Sequence, residues 1–484
     1  MTTIRSAGRA AFALAALIVV VLAAYYFTLL PVGDIQINDE FRTFDRTLGF
    51  VESGDYLTVQ AYNQPTFRKP PLQYWMSAAL IARGVDLVAA LRFPSWLFTI
   101  LTLATTGFLA HTLRPRSAFA APAAIALLAG SEAFWMFGIS AMLDAGAMAF
   151  ATVAVTACLL ALRQPRWWYL VAAAIGLAAM QKAPIPLALV AVMVLVATAT
   201  ARQTGIDLRG AFANRHFVLA GLVMTAMLLA WPAIQWLRHG TEALAEAYGV
   251  EMVNRFSPFS GVRRGPGQPL AKLVFDGEYI LRVPGLLALA ALPFLLGRRE
   301  LLALPLMVVA YAVMAAVAGG SLYPRYFLVF LPLLMAALAV VIVDGLARWP
   351  LAALAVVVAL SFSLSGPFRT SAGLGHLREG PMALRPFLEE VGRALRDDET
   401  LVACQGRGSP HVGLVSQFAS NGRPFLRLQE FGALERLERQ GRARPPYRGV
   451  CKAAEADTVR RRFGENAIMG EFNGAIHWQS RVGD

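Results

Sequence analysis

The chain has 484 residues, of which 57% are hydrophobic and only 15% are charged, and its formal net charge is +13. This composition, with a mean hydropathy of +0.53, excludes an ordinary soluble globular protein and indicates a polytopic α-helical membrane protein. The basic residues stand in small clusters between apolar runs, as in loops beside an anionic leaflet, so the positive charge does not indicate nucleic-acid binding.

Apolar runs long enough to cross a bilayer predict about 11 to 13 transmembrane helices, since some short runs suit a tilted or divided span. The predicted spans are 10–31, 91–113, 118–137, 139–162, 167–181, 185–201, 217–237, 281–297, 301–318, 325–345 and 349–366. The first run is too long for the apolar core of a cleaved signal, so we expect it to remain as a membrane anchor.

The basic loops predict the orientation. With the N-terminus in the cytoplasm, every inner loop carries arginine, as the positive-inside rule requires. These loops hold Arg114, Arg116, Arg163, Arg166, Arg202, Arg209, Arg215, Arg298, Arg299 and Arg348. We therefore expect a transmembrane domain over 1–368, whose loop 32–90 lies on the periplasmic side, and a periplasmic soluble domain over 369–484.

The loop 32–90 has the pattern of two short interfacial helices. An apolar stripe at helical spacing follows a capping residue, Asn38 or Asp39. The stripe consists of Phe41, Phe44, Leu48 and Val51. A second helix is predicted to open at Pro70 and Pro71, because proline suits the first turn of a helix.

Charged residues recur at the outward ends of the predicted spans. They are Asp39, Glu40, Lys69, Asp144, Lys182, Arg255 and Arg325. Each has an ordinary explanation, such as helix capping, an interaction with the helix dipole, or an interfacial anchor. A carboxylate within a span, as predicted for Asp144, more often has a functional role. Taken together, these residues predict one outward-facing cavity that holds both acids and bases.

The segment after about residue 374 alternates between helical and strand patterns, which predicts a small α/β domain. The predicted strands are LVACQ, PFLRL and YRGVCKA, and the predicted helices are the stripe Leu384 to Leu395, FGALERLERQ and ADTVRRRFG. Cys404 and Cys451 both fall in strands, and the sequence leaves open whether they form a disulfide. This domain either handles the acceptor or only stabilises the protein.

Ordered motifs resemble the aminoarabinose transferase family and its relatives, the protein O-mannosyltransferases. The opening DEFRTF, SGDY, RKPPLQYW and LRFPS is followed by LDAGAMAF, QKAPIPLAL, EMVNRF and YPRYFLVFLP, in the family's order over about residues 35–335. Each motif alone is weak, but the ordered set is fairly specific. The resemblance implies the fold of the GT-C glycosyltransferases, which act on polyprenyl-phosphate sugars.

The resemblance also implies the roles of the candidate residues. Asp39 is the general base that deprotonates the acceptor hydroxyl, and cationic side chains stabilise the leaving phosphate. The candidates are Asp39, Glu40 and Asp144 for catalysis, Lys69, Arg255 and Arg325 for the donor phosphate, and Lys182, Tyr323 and Tyr74 for the substrate pocket. No cofactor is obligatory. The reaction is expected to invert the configuration at the sugar carbon that is attacked.

The implied partners are a polyprenyl-phosphate sugar donor, a lipid, glycan or protein acceptor in the cell envelope, and the lipids of the bacterial inner membrane. We expect a monomer that does not bind nucleic acid. A transporter remains an alternative, although it should show internal hydropathy repeats and spans interrupted near the middle of the bilayer. A receptor or scaffold is a second alternative, but it would not need acids and bases to converge.

Departures from the family pattern bear on the substrate and on any metal. Arg68 stands where many relatives have Glu, and the His expected after EMVNRF is missing from SPFSGVRRGPGQP. A divalent metal at those positions therefore has no support. Tyr323 and Ala183 also stand at departures from the pattern. We expect a donor or acceptor other than aminoarabinose and lipid A.

Overall fold

The computed structural model describes residues 2–32, 35, 38–182, 185–247, 301–302, 324–364, 384–404, 415, 419–421, 423–472 and 474–480. Most of the two predicted spans at 281–297 and 301–318 therefore lies outside the described residues. So does the predicted domain boundary at residue 368.

The described chain is mostly helical. The α-helices are α1 (Thr2–Thr28), α2 (Asn38–Ser53), α3 (Leu72–Ile81), α4 (Leu87–Leu113), α5 (Ala120–Ala129), α6 (Glu132–Ile139), α7 (Asp144–Ala161), α8 (Trp168–Gln181), α9 (Ile185–Thr204), α10 (Leu208–Phe212), α11 (Arg215–His239), α12 (Thr241–Leu244), α13 (Leu331–Gly345), α14 (Pro350–Leu364), α15 (Leu384–Ala394), α16 (Ala433–Arg439) and α17 (Ala456–Phe463). Short 3-10 helices are Pro165–Trp167, Pro324–Phe330, Ala453–Glu455 and Glu465–Ala467.

The chain divides into two compact units. Unit 1 comprises Met1–Thr28, Phe67–Gln73 and Arg92–Gly373, and unit 2 comprises Leu29–Thr66, Tyr74–Leu91 and Leu374–Asp484. Most of the loop 32–90 thus belongs to the same unit as the C-terminal segment.

Unit 1 holds most of the apolar helices. Among the described residues, five helices are long and apolar enough to cross a membrane: Ala10–Thr28, Leu87–Leu113, Asp144–Ala161, Arg215–His239 and Phe327–Gly345. The spans in α7 and α13 are mostly buried by protein, whereas those in α1 and α11 are mostly exposed. Helices α1 and α11 therefore offer apolar surface to the lipid.

Two predicted spans differ from the observed helices. The run 118–137 forms two helices, α5 and α6, because Ser131 between them is extended. A Cβ at Gly130 would lie 2.5 Å from the carbonyl oxygen of Ser361, so only glycine allows this close approach of α14. The run 139–162 is helical only from Asp144 onward, which places this carboxylate in the first turn of α7.

Unit 2 contains a hairpin of β1 (Gln60–Ala61) and β2 (Gln64–Pro65) and a sheet of five strands: β3 (Thr400–Cys404), β4 (Leu426–Leu428), β5 (Tyr447–Lys452), β6 (Ile468–Phe472) and β7 (Ala475–Gln479). The order of the strands in the sheet is β4-β3-β5-β7-β6. β3 pairs in parallel with β4 and β5, and β7 pairs antiparallel with β5 and β6. The three predicted strands and three predicted helices of this segment are confirmed.

The core of the sheet domain lies between the sheet and the helices α16 and α17. Leu434, Val459 and Trp478 are among its fully buried members. Cys404 and Cys451 stand on the neighbouring parallel strands β3 and β5, and they form a disulfide. The pairing that the sequence left open is therefore present in the structure.

Helix α2 buries its apolar stripe within unit 2. Phe41 and Phe44 are fully buried, and the ring of Phe41 lies 6.1 Å from that of Phe44 and 6.3 Å from that of Tyr62. The ring of Phe50 stacks on Tyr56 at 5.7 Å. The amphipathic pattern of this helix therefore reflects packing against protein.

Candidate active site

Asp144 and Lys182 form a buried ion pair in unit 1. Asp144 opens α7, and Lys182 caps the C-terminus of α8. The ammonium nitrogen of Lys182 lies 2.6 Å from Oδ1 of Asp144, and the two side chains are only 11% and 9% exposed. Two opposite charges are thus held together where water is scarce, so removing one member of the pair should be costly.

A network of amides and hydroxyls adjoins this pair. The Nε2 atom of Gln181 donates to Oε1 of Gln73 at 2.6 Å and to the Leu143 carbonyl at 3.2 Å. Nε2 of Gln73 in turn donates to Oγ of Ser95 at 3.0 Å. Gln73, Ser95 and Gln181 are all completely buried. The sequence analysis missed these three residues, although each is a polar residue beside an apolar run.

Gly146 explains how α7 and α8 approach each other so closely here. A Cβ at this position would lie 2.6 Å from the side-chain amide of Gln181. The glycine, two residues after Asp144, therefore makes room for the amide network.

The predicted base, Asp39, lies in unit 2 in the first turn of α2. Its Oδ1 accepts a hydrogen bond from Nη1 of Arg42 at 2.9 Å, and its side chain is 21% exposed. Its neighbour Glu40 is buried. Both carboxylates lie in the first turn of α2, at the positive end of the helix dipole.

Tyr74, predicted to line the substrate pocket, is completely buried in unit 2. Its hydroxyl accepts a hydrogen bond from Nη1 of Arg46 at 3.1 Å. The guanidinium carbon of Arg46 also lies 5.8 Å from the centroid of the Tyr74 ring. Arg46 therefore fixes the orientation of this tyrosine, a contact that the sequence analysis did not predict.

Lys69 belongs to unit 1 and is half-buried, directly before Pro70. Its neighbour Arg68, predicted to stand at a departure from the family pattern, donates from Nε to Oε1 of Glu246 at 2.9 Å. The carboxylate of Glu246 therefore lies beside Arg68, although it comes from a distant part of the chain. Arg255 and Tyr323 lie outside the described residues, as does the side chain of Arg325, whose backbone is in the 3-10 helix Pro324–Phe330.

The structure therefore brings Asp144 and Lys182 into direct contact. Asp144, Lys182 and Lys69 belong to unit 1, whereas Asp39, Glu40 and Tyr74 belong to unit 2.

A second cluster of buried charges lies in unit 2, and it was not predicted from the sequence. Arg427 on β4 is completely buried, and its Nε lies 2.6 Å from Oδ1 of Asp45. Its Nη1 lies 2.6 Å from Oε1 of Glu52. Both carboxylates belong to α2, so this arginine joins the C-terminal sheet to the helix that carries Asp39.

The outer-loop hairpin completes the cluster. The backbone N–H of Arg427 donates to Oδ1 of Asn63 at 2.7 Å, and the backbone N–H of Tyr62 donates to Oδ2 of Asp45 at 2.8 Å. Asn63 has a positive φ of 56°, which asparagine tolerates better than most residues. Burial raises the pKa of Glu52, although Arg427 opposes that shift.

Comparison with known proteins identifies the fold. A scan against protein-family models finds no match, and a search of curated proteins finds none. The structure is similar to ArnT from Cupriavidus metallidurans bound to undecaprenyl phosphate, with a TM-score of 0.73 and 15% identity over 96% of this chain and 98% of that one. The apo state of the same ArnT gives a TM-score of 0.68 and 16% identity, with the same coverage.

The chain has a GT-C membrane fold. The predicted fold class, a helical membrane protein with a small C-terminal sheet domain, is therefore confirmed. The similarity extends over nearly the whole of both chains, so it includes the C-terminal sheet domain. At this level of identity a shared GT-C fold does not by itself define a substrate.

Proposed function

We propose that this protein is a glycosyltransferase that moves a sugar from a polyprenyl-phosphate donor to an acceptor in the cell envelope. The acceptor class comprises lipid A or lipopolysaccharide, envelope polysaccharide and protein. The observation that carries the proposal is the similarity over 96% of the chain to an ArnT structure with bound undecaprenyl phosphate. The ordered motifs between residues 35 and 335 support the same reaction.

The proposed base is Asp39. An acceptor hydroxyl must lose its proton as its oxygen attacks the anomeric carbon, and a positioned carboxylate can accept that proton. Asp39 suits the role because its side chain is partly exposed at the end of a packed helix. In the proposed single displacement, the bond from the anomeric carbon to the lipid phosphate breaks as the new glycosidic bond forms, with inversion.

The leaving phosphate gains negative charge as that bond breaks. Fixed cations in a water-poor site stabilise such charge, and arginine can bind two phosphate oxygens at once. Lys69, Arg255 and Arg325 are the proposed phosphate ligands, by their positions in the motifs. In this proposal a lipid monophosphate leaves without an obligatory metal.

Lys182, Tyr323 and Tyr74 are each proposed to contact the sugar or the acceptor, by their positions in the motifs, and Asp144 lies beside Lys182. Because Asp144 and Lys182 neutralise each other, the pair would present a dipole rather than a net charge to a substrate. The departures at Arg68, Ala183 and Tyr323 favour a donor or acceptor other than aminoarabinose and lipid A.

The proposed location is the bacterial inner membrane, with the active site and the sheet domain in the periplasm. The arginines of the predicted inner loops support this orientation. The protein is proposed to act as a monomer.

Mass spectrometry of envelope lipids, glycans and glycoproteins tests the proposal. Strains lacking the protein, producing it, or producing an Asp39→Asn variant at an equal level would be compared. We expect one sugar adduct that is present only with the unaltered protein. Identical mass spectra from all three strains would reject the proposal that the protein is a glycosyltransferase. An adduct that depends on the protein but persists with Asp39→Asn would remove Asp39 from the mechanism. Absence of transfer by the purified unaltered protein in vitro would then support transport of the sugar donor instead.

A further inference from the structure

An apolar cleft of about 150 Å³ lies in unit 1 among α7, α8, α9, α10 and α11. Trp168, Val194, Phe212, Phe217 and Gly221 are among the residues that line it. An apolar cavity of about this size holds a molecule such as benzene, so the cleft has room for a stretch of hydrocarbon chain.

One wall of the cleft is a fixed aromatic cluster. The ring of Trp168 lies 5.2 Å from that of Phe212 and 5.0 Å from that of Phe217, and the two phenylalanine rings lie 5.2 Å apart. Nε1 of Trp168 donates to the carbonyl of Ala211 at 3.0 Å. Because its one polar atom is satisfied, this wall offers only apolar surface to an occupant.

The cleft opens toward the lipid. Val190 and Val194, which both line it, are 41% and 54% exposed, and Phe217 is 36% exposed. The span in α11 that supplies one side of the cleft is also mostly exposed. In a membrane protein, exposed aliphatic side chains on a span contact acyl chains.

Basic residues flank the aromatic end of the cleft. Arg166 lies two residues before Trp168, Arg209 lies three residues before Phe212, and Arg215 lies two residues before Phe217. All three arginines are exposed. The loops that carry them therefore hold positive charge close to the aromatic wall.

Little negative charge opposes these arginines. Asp207 is the one acidic residue of the sequence between residues 163 and 217. Its carboxylate accepts hydrogen bonds from the backbone N–H groups of Arg209 at 2.9 Å and Gly210 at 3.0 Å, as the N-cap of α10. An apolar slot with an unbalanced basic rim matches a molecule that has a hydrocarbon chain and an anionic head.

We propose that this cleft binds an anionic glycerophospholipid. One acyl chain occupies the space beside Gly221 and Val194, and the phosphate of the headgroup lies between Arg166, Arg209 and Arg215. Basic groups near a membrane surface attract anionic lipids in this way. The site is independent of the proposed sugar transfer, because it uses none of the residues assigned to that reaction.

Native mass spectrometry of the purified full-length protein tests the proposal. The protein would be titrated with phosphatidylglycerol or with phosphatidylcholine that carries identical acyl chains. We expect tighter binding of phosphatidylglycerol. Equal binding of the two lipids would overturn the proposal.

Two variants test the two halves of the site. Gly221→Leu places a larger apolar side chain in the lining of the cleft, where a Cβ would meet no atom within 4 Å. Leu222→Phe is its control, since Leu222 is 63% exposed on the same helix and does not line the cleft. We expect loss of the tightly bound lipid from Gly221→Leu alone. Unchanged binding, or equal loss in both variants, would contradict the acyl-chain site.

The second variant, Arg209→Gln/Arg215→Gln, removes two headgroup ligands. We expect phosphatidylglycerol to bind about 25-fold more weakly, roughly fivefold for each basic group, with phosphatidylcholine unaffected. The control is Arg436→Gln/Arg439→Gln, which removes two exposed arginines from α16. An equal effect of this control would mean that only net charge matters, and the site would be rejected.

Discussion

The ammonium of Lys182 lies 2.6 Å from the carboxylate of Asp144, although 38 residues separate them. From the sequence, Lys182 was predicted to line the substrate pocket and Asp144 to take part in catalysis. Their contact makes them one neutral unit between the end of α8 and the start of α7. A change to either residue therefore also changes the charge state around the other.

This ion pair predicts a non-additive response to substitution. Asp144→Asn or Lys182→Met alone should cost about 3 to 5 kcal/mol of stability, because each breaks a buried ion pair by removing one of its two members. The double variant Asp144→Asn/Lys182→Met should recover most of that loss. Thermal unfolding of the unaltered protein, the two single variants and the double variant in detergent measures these changes. The exposed pair Arg460–Asp457 provides the control, because breaking it should change the stability by about 1 kcal/mol or less. If the losses from Asp144→Asn and Lys182→Met added up in the double variant, the prediction would be wrong.

The proposed base predicts a selective loss of transfer. Asp39→Asn should abolish sugar transfer while leaving expression and donor binding largely intact, because the amide keeps the shape but cannot accept the proton. Transfer by the purified protein in vitro is the measurement. Asp86→Asn is a matched control, since Asp86 is an exposed acid that accepts a backbone hydrogen bond from Ala89 at the start of α4. Full transfer by Asp39→Asn would remove this residue from the mechanism.

The proposed phosphate ligands predict weaker use of the donor. Lys69→Ala and Arg255→Ala should mainly raise the KM for the polyprenyl-phosphate sugar and weaken binding of the lipid phosphate, since each removes a cation. Steady-state kinetics at varied donor concentration measure the effect. Arg83→Ala, which removes an exposed arginine bonded to the Ala79 carbonyl, should leave the KM unchanged. Unaltered donor kinetics in both test variants would refute their role.

The buried cluster at Arg427 predicts a large effect on stability. Arg427→Met should cost about 3 to 5 kcal/mol, because Asp45 and Glu52 are then left together without a cation. The triple variant Arg427→Met/Asp45→Asn/Glu52→Gln should be more stable than the single variant. Arg423→Met is the control, because its partner Asp397 is 97% exposed and their ion pair should contribute little. Equal thermal unfolding of Arg427→Met and Arg423→Met would disprove the assignment.

His477 on β7 predicts a pH dependence of unfolding. Its burial, together with the nearby charge of Arg448, lowers the pKa of His477 from 6.5 to about 4. The unfolded chain then binds more protons between these two values, so the free energy of unfolding should fall as pH drops from about 6.5 to 4. The loss attributable to this histidine is about 3 kcal/mol at most.

Comparison of variants isolates that effect. Thermal unfolding of His477→Gln between pH 4 and 7 should depend less on pH than unfolding of the unaltered protein. His111→Gln removes an exposed histidine at the end of α4 and should retain the full dependence. Parallel pH profiles for His477→Gln and the unaltered protein would show that the histidine does not titrate as predicted.

Local patterns in the sequence were sufficient for most of the fold. Hydrophobic runs gave the apolar helices, and periodicity gave α2, α15, α16 and α17, because these signals depend on neighbours in the chain. The strands β6 and β7 escaped prediction. β7 holds the polar residues His477 and Gln479 in a short segment, and its pairing with β5 and β6 provides the stabilisation that the local pattern lacks.

The sequence by itself determined that the chain is a polytopic membrane protein with a small α/β domain, and it marked Asp39, Asp144 and Lys182 as unusual polar residues. Only the tertiary structure decided which charges meet. Arg427 pairs with Asp45 across 382 residues of sequence, and no local pattern encodes a partner at such a distance. The pairing follows from packing, because a buried charge must find its counterion wherever the fold places one.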